Sequence, residues 1–245
     1  MIRGASVEAV PPPFDRGWPL RGVLIPFARG LKHVYRARTI GVERIPTDRP
    51  VIYVGKHPRT WLYLETLVLG LVTFWDSDRP PFRALEEQGT SMHRTPIVGW
   101  FRRHVNSIPA TEAAALGVLA RGESLLVFPG GTRELYGEPD TLRWSGRTGF
   151  ARLALAARVA VQPFAIIGAD QQHPARLRLR GSSIWLPPLP LPVRLDYHFG
   201  VPIEPEGSPD SRGDVAALAA SVHDATRRLL DAGVAMRHAR SPVRA

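Results

Sequence analysis

The sequence predicts an α/β domain built on a mostly parallel sheet. Two observations carry this. Short apolar runs at residues 51–54, 124–128 and 161–167 have the length and side-chain character of buried strands. Segments with helical spacing of apolar residues separate them, and strand-helix alternation is the pattern of parallel sheets flanked by helices. A single domain is expected: a central, mostly parallel mixed sheet flanked by helices, with an N-terminal amphipathic helix. The expected divisions are a leader and basic helix at 1–38, the domain proper at 39–233 and a basic tail at 234–245.

The elements follow in order. Residues 1–17 hold Pro11-Pro12-Pro13 and no period, and read as a loose leader. From 18 to 38, Trp18, Leu20, Val23, Leu24, Phe27, Leu31, Val34 and Tyr35 alternate with Arg21, Arg29, Lys32, His33, Arg36 and Arg38. This is a basic amphipathic helix, kinked at Pro26. It suits either an anionic lipid surface or an ordinary core cover with a solvated basic face. The strand at 51–54 ends in Gly55-Lys56-His57-Pro58. Trp61 to Trp75 is apolar apart from Glu65, Thr66 and Thr73, too long for most strands and too short to span a bilayer, so it reads as a buried helix. An acid in such surroundings needs a partner or a shifted pKa.

Residues 76–104 carry no clear period. Thr111 caps a helix that ends before Gly122. The strand at 124–128 runs into Pro129-Gly130-Gly131. A helix starts at Ser145 or Gly146, and a third strand follows at 161–167. Arg176, Arg178 and Arg180 alternate with Leu177 and Leu179, as in a half-exposed strand with a basic face. Residues 186–192 are proline-dense and irregular or at a sheet edge. Tyr197 to Val201 supplies a last strand. Asp210 or Ser211 caps a final helix that stops near Gly233.

Composition narrows the function classes. The chain has 245 residues, 44% of them apolar, enough for a substantial core and too many for a disordered chain. It has no cysteine, which removes disulfides, thiolate metal sites and thiol nucleophiles. No secretory signal is evident near Met1, and no apolar run is long enough to span a membrane. The formal charge is +10, spread along the chain, which favours an anionic partner. No nucleic-acid-binding motif accompanies it, so nucleic acid is not an expected partner.

Two strand ends carry the candidate chemistry. One is Gly55-Lys56-His57-Pro58-Arg59, before the helix with Glu65. The other is Phe128-Pro129-Gly130-Gly131-Thr132-Arg133-Glu134. In open α/β sheets, sites gather at the carboxyl ends of strands. A histidine oriented by a carboxylate removes a hydroxyl proton near neutral pH. Glycines let the backbone approach a ligand, and arginine holds anionic groups. No P-loop and no Gly-x-Ser-x-Gly elbow is present, and His93 and His104 lack metal-ligand spacing.

These pieces, in this order, resemble the lysophospholipid/glycerol acyltransferase (PlsC-like) family. The matches are His57 with Glu65, the stretch Asn106 to Ala110, Phe128 to Glu134, and Val161-Gln162-Pro163. The family's first motif usually places Asp five positions after the histidine, where this chain has Leu62. Its third motif usually has Glu where this chain has Gly130. The Pro-Gly-Gly form resembles a branch related to diacylglycerol acyltransferases.

The resemblance implies an O-acyltransferase. It would move a fatty acyl group from a thioester, acyl-CoA or acyl-carrier protein, to the hydroxyl of a glycerolipid, lysophospholipid or neutral lipid alcohol. His57 would be the general base and Glu65 its orienting acid. Arg59, Phe128, Pro129, Gly130, Gly131, Thr132, Arg133 and Glu134 would line the substrate site. No metal and no bound cofactor are expected. The partners would be the thioester donor, the lipid acceptor and an anionic membrane surface, met peripherally at its cytoplasmic face. A simple helical offset would place residues 57 and 65 about 80° apart, so the pair would meet only with His57 in a loop, which Pro58 favours. The alternative is a non-catalytic lipid-binding relative on the same fold.

Overall fold

The computed structural model describes residues 11–60, 63–86, 106–144, 146–179, 182–187 and 189–240. His93, His104, Trp61, Leu62, Ser145 and Arg180 lie outside them. Residues 11–17 are not a loose leader. The Phe14 ring stands edge-on to Phe74 with centroids 5.6 Å apart. The Asp15 N–H donates to Asn106 Oδ1 at 2.8 Å, and Arg83 donates to the Pro12 carbonyl at 2.9 Å.

A π-turn over Leu20–Leu24 leads into α1, Ile25–Val34, with Pro26 in its first turn, where a missing N–H costs least. Strand β1, Arg38–Ile40, follows, then β2, Ile52–Gly55. Helix α2, Leu64–Gly70, ends in a π-turn through Trp75. Strand β3, Phe82–Glu86, occupies part of the segment without a clear period. Strand β4 is Ile108–Pro109, and α3 is Glu112–Leu119. Thr111 caps α3 as expected, its hydroxyl accepting from the Ala114 N–H. Then come β5, Ser124–Val127, the short α4, Thr132–Leu135, α5, Gly149–Ala157, and β6, Val161–Ile167. A hairpin of β7, Ala175–Leu179, and β8, Ser182–Leu186, precedes β9, Asp196–Phe199, and α6, Arg212–Arg240.

Among the described residues, seven strands form one sheet in the order β1-β9-β6-β2-β5-β3-β4. All neighbours run parallel except β9 against β6. Strand parity sorts the core into two layers. Ile52, Val54, Leu125, Val161 and Ala165 face a layer that includes residues of α3, α5 and α6. Tyr53, Leu126, Phe164, Ile166 and Tyr197 face the layer of α1 and α2.

The last helix does not stop at Gly233. It runs to Arg240, and Gly233 is buried inside it. A β-carbon there would collide with the Ile167 side chain, so this glycine lets α6 lie directly on the end of β6. Close packing, not termination, explains the residue.

The central strands bring three loops to one edge. β6, β2 and β5 lie side by side and parallel, with Val54 paired to both Val127 and Pro163. The chain therefore leaves the sheet at Lys56, at Phe128 and, after β6, at Gly168 on the same side. That carboxyl-end edge is where a site is expected in this topology.

Candidate active site

His57 follows β2 directly and is buried. Its Nδ1 lies 2.7 Å from the Pro58 carbonyl. A carbonyl only accepts, so Nδ1 carries the proton and Nε2 keeps its lone pair. The Tyr63 hydroxyl stands 3.4 Å from Nε2, and the Phe128 ring packs on the imidazole at 5.2 Å between centroids. Burial lowers the His57 pKa to about 4; Lys56 acts in the same direction, while the Pro58 bond and Asp170 oppose it. The ring is neutral at pH 7, the form a general base requires.

The expected hydrogen bond between His57 and Glu65 is not formed. Tyr63 adopts a left-handed backbone, φ 53°, and α2 begins only at Leu64. Glu65 then falls in the first turn of a helix on the α1–α2 side of the sheet. It is fully buried, and its charge acts on the Tyr35 and Tyr197 hydroxyls. The Thr66 hydroxyl donates to Oε1 at 3.2 Å, and Oε2 has no partner among the described residues. Burial raises the Glu65 pKa to about 7, so the group is poised between acid and carboxylate. The imidazole is oriented by the neighbouring carbonyl instead, a partner one residue away that spacing arguments do not consider.

Two other carboxylates hold the His57 loop. Glu134, buried in α4, accepts the His57 N–H through Oε2 at 2.8 Å and the Arg143 N–H through Oε1 at 2.8 Å. Asp170, after β6, accepts the Arg59 N–H through Oδ1 at 3.0 Å. Its Oδ2 accepts the Lys56 ammonium at 2.6 Å and the Asp140 N–H at 2.8 Å. Lys56 and Asp170 are both buried. Each acid thus ties the 56–59 loop to the 140–143 loop. Thr60 adds a third tie: its hydroxyl lies 3.3 Å from His173 Nε2, and His173 Nδ1–H donates to the Pro187 carbonyl at 2.8 Å.

The expected substrate-lining residues divide. Phe128 and Gly131 are half-buried, Pro129 and Gly130 are buried, and Thr132 and Arg133 are exposed. Arg59 is half-buried beside Asp170. Gly131 has φ 50°, a conformation that favours glycine, and its N–H donates to the Phe128 carbonyl. The Arg147 guanidinium comes close to Gly131. Glu134 faces no open site, because both its oxygens hold backbone amides. A β-carbon at Gly130 would collide with the Glu134 carboxyl, so the glycine makes the room this acid occupies. Asp170 and Tyr63 were not expected at the site, and Lys56, within the expected loop, had no partner assigned. Asp170 lies 114 positions from Lys56, and nothing local in the sequence announces the pair.

No three or more His, Asp or Glu side chains among the described residues are grouped to hold a metal ion. Nor is any helix among them long and apolar enough to cross a membrane.

The chain is similar to several known proteins. An uncharacterized protein of Mycobacterium tuberculosis, Rv0502, is 28% identical over 193 residues, covering 70% of this chain and 53% of its own length. The chain therefore spans about half the length of that relative. Phytyl ester synthase 2 of Arabidopsis thaliana chloroplasts is 26% identical over 138 residues, 53% of this chain and 19% of that protein. Among solved structures, the 1-acyl-sn-glycerophosphate acyltransferase PlsC of Thermotoga maritima superposes with a TM-score of 0.60 at 21% identity, covering 89% of this chain and 82% of that one. The fold is thus that of PlsC, a single α/β domain with a mostly parallel mixed sheet. A family model described as Acyltransferase matches residues 36–167, more than half of the chain, and the chain belongs to that family.

Proposed function

We propose that this protein transfers an acyl group from a thioester to the hydroxyl of a lipid, with His57 as general base. The observation that carries the reading is the state of the imidazole. It is buried and neutral, its Nδ1–H is bound to Pro58, and Nε2, facing the Tyr63 hydroxyl at 3.4 Å, keeps the lone pair that takes a proton. In the reaction, Nε2 takes the acceptor's proton as its oxygen attacks the thioester carbonyl. The tetrahedral intermediate then expels the thiolate, which recovers the proton from the imidazolium. General-base assistance of this kind is worth roughly 10²–10⁴ in rate. The donor would be acyl-CoA or an acyl-carrier protein.

The acceptor we favour is a neutral lipid alcohol, such as a mono- or diacylglycerol, with a lysophospholipid second. Gly130 stands where many phosphate-acceptor enzymes carry Glu, and the Glu134 carboxyl fills that space with both oxygens bound. A relative named for phytyl ester synthesis fits the same reading. We place the protein peripherally on an anionic, cytoplasmic membrane face, because the substrates are lipids and the exposed side of the N-terminal helical segment carries apolar and basic residues together.

The test is product formation from labelled acyl-CoA and a panel of lipid alcohols, resolved by thin-layer chromatography. Ester formed by the wild type and lost in folded His57→Ala supports the reading. A second reading, a non-catalytic lipid-binding relative, draws on the open His57–Glu65 pair. Under it no ester forms, and lipid binding is the same in wild type and His57→Ala.

A further inference from the structure

A second feature of the same sheet edge lies outside the site described above. Arg36, Arg194, Asp196, Arg237 and Arg240 line a cavity of about 250 Å³. They converge from three places. Arg36 lies between α1 and β1, Arg194 precedes β9, and Arg237 and Arg240 sit in the last turns of α6. β9 runs antiparallel to β6 with Asp196 paired to Ile167, so the cavity stands at the end of β6. Asp170, three residues past that end, holds Lys56 of the His57 loop.

The cavity is built, not incidental. Gly168 has φ 95°, and a β-carbon there would collide with the Arg194 carbonyl and the Arg237 guanidinium. The missing side chain lets Arg237 lie against the strand end, where it donates to the Arg194 carbonyl at 2.7 Å and to Gln171 Oε1 at 2.8 Å. Arg36 donates to the Pro192 carbonyl at 3.1 Å. These partners are neutral, so they fix the guanidinium groups without cancelling charge. None of the four arginines forms a close ion pair among the described residues. Arg194 Nε and Asp196 Oδ1 are buried without hydrogen-bond partners among them. Four guanidiniums against one carboxylate leave a formal +3 around a small concave space. Burial and the neighbouring Arg194 and Arg36 pull the Arg237 pKa down, while Asp196 and Asp140 oppose this.

We infer that this cavity binds the phosphoryl group of a phosphomonoester or phosphodiester. Arginine is suited to this role because its planar fork presents paired donors to phosphate oxygens. The cavity falls below the roughly 300–1,000 Å³ of drug-sized ligand sites, so it takes the phosphoryl head and its immediate bearer, not a whole lipid or nucleotide. The phosphate belongs either to a soluble molecule or to a lipid headgroup at the membrane. Binding here is independent of whether His57 turns over.

The experiment uses the full chain and two probes, read as binding without turnover. Inorganic phosphate is titrated by calorimetry at fixed ionic strength set with chloride, which removes general screening. Vesicles of phosphatidylcholine with and without phosphatidic acid are then sedimented with the protein. The variants are Arg240→Gln and the double Arg36→Gln/Arg240→Gln, both at exposed positions, checked by thermal melting. Saturable phosphate binding that falls about ten-fold in the double variant places the phosphate on a soluble ligand. Binding to phosphatidate vesicles alone, with a similar fall, places it on a headgroup. Arg237→Lys keeps the charge but loses the paired donors, and weakens whichever probe binds by several-fold. Equal binding by wild type and the folded double variant overturns the proposal. So does the absence of binding to either probe, with phosphate taken to about 10 mM, beyond the millimolar range of weak specific sites.

Discussion

The backbone N–H of His57 donates to Glu134 Oε2 at 2.8 Å, across 77 positions of sequence. The histidine is thereby placed by a carboxylate that never touches its ring. The same acid accepts the Arg143 N–H, so one buried side chain sets two loops at the mouth of the sheet. Gly130 makes this possible by leaving the space that the carboxyl occupies.

Glu134→Ala should therefore damage the protein more than Glu134→Gln. The alanine leaves two backbone donors without acceptors, at about 1–3 kcal/mol each where they stay buried. Glutamine keeps one acceptor oxygen. We expect a clear drop in melting temperature and acyl transfer for the alanine, and a partial loss for the glutamine. Gly130→Ala should resemble the alanine variant, because its methyl meets the Glu134 carboxyl. Wild-type melting and activity in Gly130→Ala would show that this space is not needed.

The paired acid at the other end of the loop makes a separate prediction. Lys56 and Asp170 are buried 2.6 Å apart, and removing one partner of a buried pair costs about 3–5 kcal/mol. Asp170 also accepts the Arg59 and Asp140 amides. Asp170→Ala should thus destabilise more than Lys56→Met, which removes a charge and preserves both amide bonds. Chemical denaturation of the two variants gives the order. The reverse order would mean that the ammonium, not the carboxylate, anchors the loop.

Much of this fold was legible in the sequence, and the reasons for the misses are physical. The run at 161–167 matches β6 end to end, because a strand buried on both faces is apolar almost throughout, here in all but Gln162. The Thr111 cap is a local hydrogen bond and was readable as one. The parallel strands β2 and β5 bring His57 and the Phe128 to Glu134 block to one sheet edge, as strand-helix alternation implies. The partner of His57 was misread because the nearest acid in sequence, Glu65, starts a helix on the α1–α2 side, while the carbonyl of Pro58 was already within reach. Asp170 could not be found, since only sheet order brings residue 170 beside residue 56. Gly233 was misread because a glycine that ends a helix and one that admits a neighbouring strand look alike in sequence.

His57 and Glu65 give opposite pH dependences of stability. His57 has its folded pKa lowered to about 4 from 6.5. The unfolded chain binds the extra proton between those values, so this group adds stability as pH rises from about 4 to 6.5. Glu65 has its folded pKa raised to about 7 from 4.5. Here the folded state binds the proton, so stability falls as pH rises from about 4.5 to 7, by roughly 3 kcal/mol over that range. The two effects offset each other between about 4.5 and 6.5. Glu65→Gln should remove the falling branch, leaving a protein that gains stability up to pH 6.5 and stands above wild type at pH 8. Melting curves from pH 4.5 to 8 measure it, and parallel curves for the two proteins would put Glu65 in contact with solvent or a counter-charge.

As the proposed general base, the same histidine should set the pH profile of activity. A base with a folded pKa near 4 is already neutral at pH 5. We expect kcat/KM to hold level from about pH 5.5 to 7.5, with its acid limb below pH 5. His57→Gln should reduce kcat by roughly 10²–10⁴ with an unchanged melting temperature. An acid limb centred at pH 6.5 would mean that the imidazole is solvated in the working enzyme.

The proposed membrane contact makes a prediction for the N-terminal helical segment. Of its apolar residues, Leu24 and Leu31 are buried in the core. Trp18, Phe27 and Val34 remain outward, 74%, 47% and 53% exposed, among Arg21, Arg29 and Lys32. One face of the segment therefore serves the fold and the other is open to a bilayer. Fully burying a large apolar side chain is worth about 1.5–3 kcal/mol, so Trp18→Ser with Phe27→Ser should weaken binding to anionic vesicles at least ten-fold. Added salt should weaken it further, because surface cations act within a Debye length of about 8 Å at physiological ionic strength. Leu24→Ser and Leu31→Ser should behave differently, lowering the melting temperature and altering vesicle binding only through lost fold. Sedimentation with vesicles, alongside melting curves, separates the two classes. Undiminished binding by Trp18→Ser/Phe27→Ser would move the face to Leu189 and Leu191, which are also exposed and follow the β7–β8 hairpin. The Arg36 bond to the Pro192 carbonyl holds that loop against the end of α1. A single bilayer plane would then still meet α1 at its carboxyl end, with Val34 as its first apolar contact.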